Sequence, residues 1–586
     1  MPRLRCENSR RLTGANLFSK LPGAVLDLIF ENDGDSSTAA GNSLSDIALT
    51  WHEQARQLLE ALGWAEHQTF QRNYDKGVSL GLNAPIDCLY SAADLNEAAL
   101  LLSAKQLGLD EIEGIELEIA ADPDAVLAHL RHEIENEKNP ALLAMAAAAE
   151  HHQVLFLFDD DFVSLGSGSS CQTWPVDKLP VLEELDWKSY QAIPIALVTG
   201  TNGKSTSVRL ACAIAEAAAL TVGTTSTDYI KVGDSVIDRG DYSGPGGART
   251  LLRDSRVDIA FLELARGGLL RRGLGVPEAN AALITNVAAD HLGDYGINTV
   301  EELREAKFIV QKALDTSNPL VLNADDEGVV NYVKGFDQCI TWFAESLDNP
   351  VLANHVAEGG EAFSIDAGEV VHIKAGKQYS IVAIEDIPVT LKGQARHNVQ
   401  NVLGVCGICS ALGIDYAAMK TGLSRFRGDA KENPGRGNFY QANGVNILID
   451  FAHNEHGMRA LATTAANIES KRRLILMGQA GDRSDEAIID MVNAAMLARP
   501  DCLVASETPG YERGREAHET ADVIANAAVA HGLAETNIMR SRDPAEGIKK
   551  ALDWAEPGDF LLFFVLTNRD QAIQIVEDYG GTASTI

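Results

Sequence analysis

Basic residues are scarce in this chain: 49 Lys and Arg stand against 83 Asp and Glu in 586 residues, a formal net charge of −34. Nucleic acids and anionic membranes select basic patches, so broad electrostatic binding to either is excluded and no nucleic-acid partner is expected. Cysteine is sparse as well, with eight residues, of which only Cys406 and Cys409 form a CxxC pair. The pair lacks a second CxxC or a metal-spaced histidine and sits in the apolar run NVLGVCGICSAL, so it reads as two small buried side chains of a helix. No zinc or disulfide framework is expected. Behind Arg3, Arg5, Arg10 and Arg11 there is no apolar run long enough for a signal peptide, and no segment reaches membrane-spanning length. These absences point to a cytoplasmic protein with no membrane partner. Internal repeats and low-complexity tracts are missing too.

What is present is an ordinary globular composition, 46% hydrophobic and 23% charged, in a chain long enough for two to four domains. Ala- and Leu-rich helical patterning covers residues 44–62 and 123–149, and VLFLF at 154–158 reads as a buried strand. The Gly, Ser and Pro of DDDFVSLGSGSSCQTWP then mark a loop or linker. From Ile193 onward short apolar strands alternate with helices: IALVTG, SVRLACAIAEAAA, VDIAFLEL, AALITN. This alternation predicts a doubly wound parallel sheet. Residues 350–392 read as short strands at the edge of that domain. A second α/β pattern starts near Gly444 with VNILIDFAH, RRLILMG, DCLVAS and DFLLFFV, after a junction near 428–437. The expected architecture is α/β with three domains. An α+β N-terminal domain (1–165) and a linker (166–190) precede a central doubly wound domain (191–430) and a Rossmann-like C-terminal domain (431–586).

Directly after the strand IALVTG come Gly200, Thr201, Asn202, Gly203, Lys204, Ser205 and Thr206, and then a helix. The glycines let backbone amides curl around phosphate oxygens, the helix N-terminus adds positive potential, Lys204 can neutralise β/γ charge and Ser205 can ligate magnesium. Counted from Gly200 the loop is a variant of the GxxxxGKS spacing. A phosphate loop alone would equally suit a kinase, a transport ATPase or a GTPase. Further discrimination comes from Glu263, at the end of VDIAFLEL, and from His291, in the segment after AALITN. Neighbouring strand ends of a doubly wound sheet converge on the ligand crevice, so both can face the γ-phosphate and a second metal ion. Singly, each is as often structural as functional.

The stretches DYSGPGGART (241–250), FLELARGGLLRRGLG (261–275), TNVAADHLGDYGINTVEEL (285–303), VLNADDEGVV (321–330) and GDAKENPGRGNFYQANGVNILIDFAHN (428–454) together resemble the Mur ligase superfamily, in particular the Mur-like part of the cyanophycin synthetases. The resemblance covers about residues 191–575. It implies a ligase that binds ATP and two magnesium ions through Lys204, Ser205, Glu263 and His291. Lys307 matches a lysine that many Mur ligases carbamylate into an extra metal-binding carboxylate; the alternative is an exposed helical lysine. His397, Asn398 and Asn401 match the helix that encloses the adenine, and Arg436 and Asp450 match groups near phosphates and ribose. His453 and Asn454 close the same motif. For the incoming amine the family uses the third domain, where Asp482 and Arg483 of GQAGDRSD and Arg513 and Arg515 of YERGRE stand. The segment ASETPGYERGR replaces the DNPR signature of the cell-wall enzymes, which argues against a peptidoglycan role.

RRLTGANLF (10–18) and residues 140–169 resemble cyanophycin synthetase entering its ATP-grasp domain, yet about twenty residues then lead straight to IPIALVTGTNGKST. The N-terminal region therefore reads as carrying a remnant of that domain, which could bind substrate, fix a homodimer or serve as scaffold. The implied activity is ADP-forming amide synthesis through an acyl phosphate. An Asp or Glu carboxylate with a basic amino acid, a short peptide and a small amino-acid metabolite are all allowed as substrates. The alternative is a catalytically silent binding or scaffold protein that keeps the fold.

Overall fold

The computed structural model describes residues 3–31, 37–109 and 112–584. Its N-terminal part is an antiparallel sheet of four strands in the order Arg3–Leu12, Gly23–Glu31, Gly77–Asn83, Thr69–Tyr74. Helices Ser37–Ala61 and Leu89–Leu107 pack against it, with Trp51, Leu26, Leu28 and Leu80 in the shared core. The helical pattern at 123–149 resolves into two helices, Pro123–Glu137 and Pro140–His152. Pro140 lacks an N–H and cannot continue the first helix, and the Asn139 side chain caps the second by accepting from Leu142 N.

The segment expected to be a linker is in part a strand. Gln172–Pro175 pairs antiparallel with Phe162–Leu165, which pairs with Phe156–Phe158, so the 165/166 boundary cuts through a small sheet. The GSGSS run that reads as a loop or linker supplies the connection, with Gly166 and Gly168 at φ +72° and +59°.

The central sheet has eleven strands. Its strands from Val222–Thr225 through Ile259–Glu263, Ile195–Thr199, Ala281–Ile284, Leu320–Asn323 and Ile340–Phe343 to Ala362–Asp366 run parallel. They are apolar without alternation, as both faces are covered: one by a core around Leu197, Leu262 and Ile284, the other by Val198, Phe261, Leu283 and the cysteines of Arg396–Ala411. Residues 362–383 form the antiparallel edge, although 350–357 are a helix. The eight cysteines are all free thiols. The C-terminal sheet is likewise parallel at its centre, with Asn438–Ala442 and the short edge strand Thr582–Ala583 antiparallel at one side. Among the described residues no helix is long and apolar enough to cross a membrane.

Cations stitch the N-terminal sheet to the central domain. Arg10 donates to Leu270 O at 2.9 Å while its guanidinium is ion-paired to buried Asp27 at 2.5 Å. Arg72 donates to Gly296 O at 2.7 Å, and Lys312 to Leu17 O at 3.2 Å. The N-terminal part is thereby held beside the loop that follows Asp290.

Candidate active site

The phosphate-loop strand Ile195–Thr199 lies between Ile259–Glu263 and Ala281–Ile284, so three strand ends meet at one place. Gly200 has φ +146°, and a Cβ there would stand 1.9 Å from Thr285 Oγ1. Gly203 has φ +85°, with Asn401 Oδ1 2.2 Å from where its Cβ would be. Only glycine fits at either position. The amides of Thr201 and Asn202 are already taken by Asn286, through its carbonyl at 2.9 Å and its side-chain oxygen at 3.0 Å. Helix Lys204–Ala217 begins at Gly203 without a side-chain cap. Its first N–H groups are therefore free to meet an anion, the arrangement expected of a phosphate site.

Lys204 is not on an exposed loop. Its Nζ folds back onto Gly200 O (3.0 Å) and Thr201 O (2.9 Å), and burial lowers its pKa against the pull of Glu263 and Asp290. Glu263 is buried; Oε1 accepts from Ser205 Oγ at 3.0 Å, and Oε2 has neither partner nor solvent. Lys307 is also buried, donating to Gly200 O at 2.8 Å. Burial, aided by the nearby charges of Lys204 and Arg266, pushes its pKa well below the usual lysine range, so its amine is biased to neutrality. The exposed-lysine alternative is thereby removed.

These groups share a cavity of about 540 Å³ with residues of the C-terminal domain. Of the residues singled out from sequence, Thr201 to Thr206, Glu263, His291, Lys307, His397, Asn398, Asn401, Arg436, Asp450 and His453 line it. Burial, with His456 nearby, lowers His397 to about 4, leaving a neutral ring in a cavity wall that also includes Leu461 and Ala460. The Thr206 hydroxyl accepts from Asn433 Nδ2 at 3.2 Å, tying the phosphate loop to the interdomain junction. Asn454 lies outside the cavity lining; its Oδ1 caps the following helix through Gly457 N (2.9 Å) and accepts from Asn202 Nδ2 (3.2 Å). Arg513 is ion-paired with Asp482 on the surface. Arg515 braces its own loops, donating to Gly481 O at 2.9 Å and Asp485 at 2.6 Å. Arg483 approaches the cavity, 3.5 Å from Asp290 Oδ1.

Asp290 was not singled out from sequence, yet it is the centre of this region. One ligand atom each of Asp290, His291 and His453 lies within 4.8 Å of the others. Burial pushes the Asp290 carboxyl up, but its pairing with His453, 3.8 Å away, with the charges of His291 and Lys204 behind it, holds it well below the carboxylate range. His291, its side chain 55% exposed, adopts φ +46°, which a histidine tolerates at some cost in strain; partial desolvation with the nearby charges of Arg483, His453 and Arg266 lowers its pKa, which favours a neutral, ligating ring. The position of Asp290 directly before His291 was the available signal. Arg569 and Asp228 were also missed: Arg569 donates to Asp228 Oδ1 at 2.8 Å and Arg209 to Oδ2 at 2.6 Å, bridging the two domains. Nothing in the local pattern around either residue announces a pairing across 341 positions.

Asp450 is the opposite case: burial raises its pKa to about 6, against the Ala452 amide (2.7 Å) and Arg436. A carboxyl whose folded pKa exceeds its unfolded value stabilises the fold below the unfolded pKa, and that contribution is lost as pH rises from about 4 to about 6. Asp450→Asn should therefore melt about 2 °C above wild type at pH 7.5 and match it near pH 4. Equal melting differences at both pH values, followed by calorimetry, would refute the assignment.

Residues 198–409 match the Mur ligase middle domain and residues 435–564 the glutamate ligase domain of Mur ligases. The chain belongs to the Mur ligase superfamily, through these two domains. Cyanophycin synthetase of Synechocystis sp. is 34% identical over 374 residues, which is 64% of this chain and 42% of that protein. The chain thus spans less than half the length of that relative. UDP-N-acetylmuramoyl-L-alanyl-D-glutamate–2,6-diaminopimelate ligase of Clostridium botulinum is 25% identical over 396 residues, 66% of this chain and 75% of that one. E. coli FolC in complex with DHPP and ADP superposes with a TM-score of 0.49 at 16% identity, covering 66% and 89% of the two chains.

Proposed function

We propose that this protein is an ADP-forming carboxylate–amine ligase that works through an acyl phosphate. The observation that carries this reading is the single cavity gathering Lys204, Ser205, Glu263 and Lys307 of the central domain with Asp450 and His453 of the C-terminal domain. By similarity to cyanophycin synthetase, the acceptor is an acidic amino acid or short peptide and the amine a basic amino acid.

The free amides of Gly203–Thr206 and the Lys204 ammonium hold the ATP phosphates, while Arg436 and Asp450 address the phosphates and ribose. His397 and Asn401 border the adenine. Glu263 Oε2, buried and unpartnered beside the Ser205 hydroxyl, is the hard oxygen donor set that suits magnesium. Bound there, the ion would neutralise β- and γ-phosphoryl oxygens. His291, with Lys307 as a carbamate, would hold a second ion. The chemical difficulty is bringing a carboxylate onto a triphosphate, two anions that repel. Clustered positive charge in a water-poor cavity lowers that barrier, and the same exclusion of water protects the acyl phosphate. An acceptor carboxylate oxygen attacks the γ-phosphorus and ADP leaves; the amine nitrogen then attacks the acyl carbon, and phosphate leaves with the amide formed.

Phosphate release screened over pairs of amino acids and dipeptides, with mass spectrometry of the product, tests the reading. ATP turnover that no amine and acceptor pair stimulates would favour a silent scaffold. Counting sites gives a sharper expectation: one ADP per amide, and no Asp–Arg polymer from free aspartate, arginine and ATP even with a primer. Residues 156–175, where a second nucleotide fold would have to begin, close instead into a three-stranded sheet. Product sizing with two ADP per repeat would overturn this count.

A further inference from the structure

The cations of the cavity are nearly all engaged. Lys204 and Lys307 donate to loop carbonyls, Arg436 donates to Thr227 Oγ1 at 3.3 Å, and Arg569 to Asp228. Arg266 differs. Its Nη2 donates to Asp294 Oδ2 at 2.8 Å, whereas Nη1 is shielded from solvent and has no acceptor. The side chain is only 12% exposed, while its partner Asp294 is 66% exposed and so screened by water. A buried guanidinium N–H without an acceptor is destabilising, and in a cavity wall it is a group that water or a ligand can complete.

Position indicates which ligand. Arg266 lies three residues beyond Glu263, at a strand end different from that of the phosphate loop, and shares the cavity wall with His291 and Lys307. The phosphate oxygens already have Lys204 and the uncapped helix start. The reacting carboxylate of an acceptor is poorly served by an arginine, because a charge-assisted hydrogen bond there would blunt its nucleophilicity.

We propose that Arg266 anchors a second, non-reacting carboxylate of the acceptor, so that the enzyme selects acidic residues presenting two carboxylates and activates the one left free. This rests on the ligase reading above. The anchored carboxylate takes the orphaned Nη1–H and turns the other carboxyl toward the γ-phosphate. An acceptor lacking the anchor group leaves that N–H unpaired, the arrangement that gives strong discrimination.

Hydroxylamine can replace the unidentified amine: it attacks the acyl phosphate carbon, releases phosphate and leaves a hydroxamate. N-acetylaspartate and N-acetylglutamate are compared with their α-amides, using ATP, magnesium and the full chain. The diacids should give hydroxamate with kcat/KM at least about tenfold above the α-amides. Arg266→Gln should erase that preference while leaving the KM for ATP within about twofold, and Arg266→Lys, which keeps the charge but not the fork, should restore part of it. Equal rates for diacids and α-amides in wild type would overturn the anchor and leave the ligase reading standing. Loss of ATP affinity in Arg266→Gln with the preference intact would give the guanidinium to the nucleotide and overturn the anchor. No hydroxamate from any of the four would sink both.

Discussion

Lys204→Ala should lower ATP turnover about a thousandfold, roughly 4 kcal/mol of transition-state stabilisation, without unfolding the protein. Both halves of this expectation come from the same geometry. The Nζ bonds only to carbonyls of its own loop, Gly200 O and Thr201 O, so its removal breaks no contact between elements. The lysine is also held at a desolvation cost that lowers its pKa, so the variant should melt at or slightly above the wild-type temperature. The functional loss is large because the charge sits where negative charge moves from γ-phosphate to β-oxygen and where little water can screen it. Neutral Lys204→Met should resemble alanine, and Lys204→Arg should recover little, because a longer planar fork does not put its charge where the compact ammonium stood. Turnover within about threefold of wild type would remove the nucleotide from this loop.

The parts of the molecule that were readable in advance share a physical cause. Ile195–Thr199, Ile259–Glu263 and Ala281–Ile284 are short, apolar and followed by Gly or polar residues, so the parallel sheet announces itself, and the residues at its strand ends follow from the sheet. The N-terminal antiparallel strands did not stand out. Arg3–Leu12 carries several arginines, of which buried Arg10 points to Asp27 and Leu270 rather than to solvent; charge in a strand reads as surface until the partner is seen. Residues whose role depends on a second domain were equally hidden. Asp290 looks like a loop acid until His453 and Arg483 arrive from the C-terminal domain, and Asn454 looks like a ligand-binding amide until it is found capping a helix. Arg513 and Arg515 show the reverse: an RGR segment suggests anion binding, but a surface pair with Asp482 and a set of backbone carbonyls already hold them.

Lys307→Ala should cost on the order of a hundred- to a thousandfold in turnover and regain part of it with a short carboxylate such as acetate or propionate. A lysine can add CO2 only as the neutral amine, forming the N–C bond and releasing a proton to leave a carbamate. Burial and the fields of Lys204 and Arg266 favour that neutral form here. The product would exchange a desolvated amine beside two cations for an anion beside them, so the same neighbours that destabilise the ammonium stabilise the carbamate. Lys307→Arg cannot form it and should stay inactive, which separates loss of the carbamate from loss of a positive charge. Two readouts bear on this apart from rescue. Labelled bicarbonate should give a carbamate carbon signal in wild type that is missing in Lys307→Ala, and depletion of CO2 should lower turnover reversibly. The capping box at Thr299 and Glu302 starts the helix that carries Lys307 and stays intact in each variant, so the position of the carboxylate binding void is preserved for rescue. An unaffected Lys307→Ala enzyme would mean that the amine serves only to tie Gly200 O. Full loss of activity with no carbamate signal and no rescue would keep the lysine in the site as a neutral donor to the phosphate loop and take the second metal away from it.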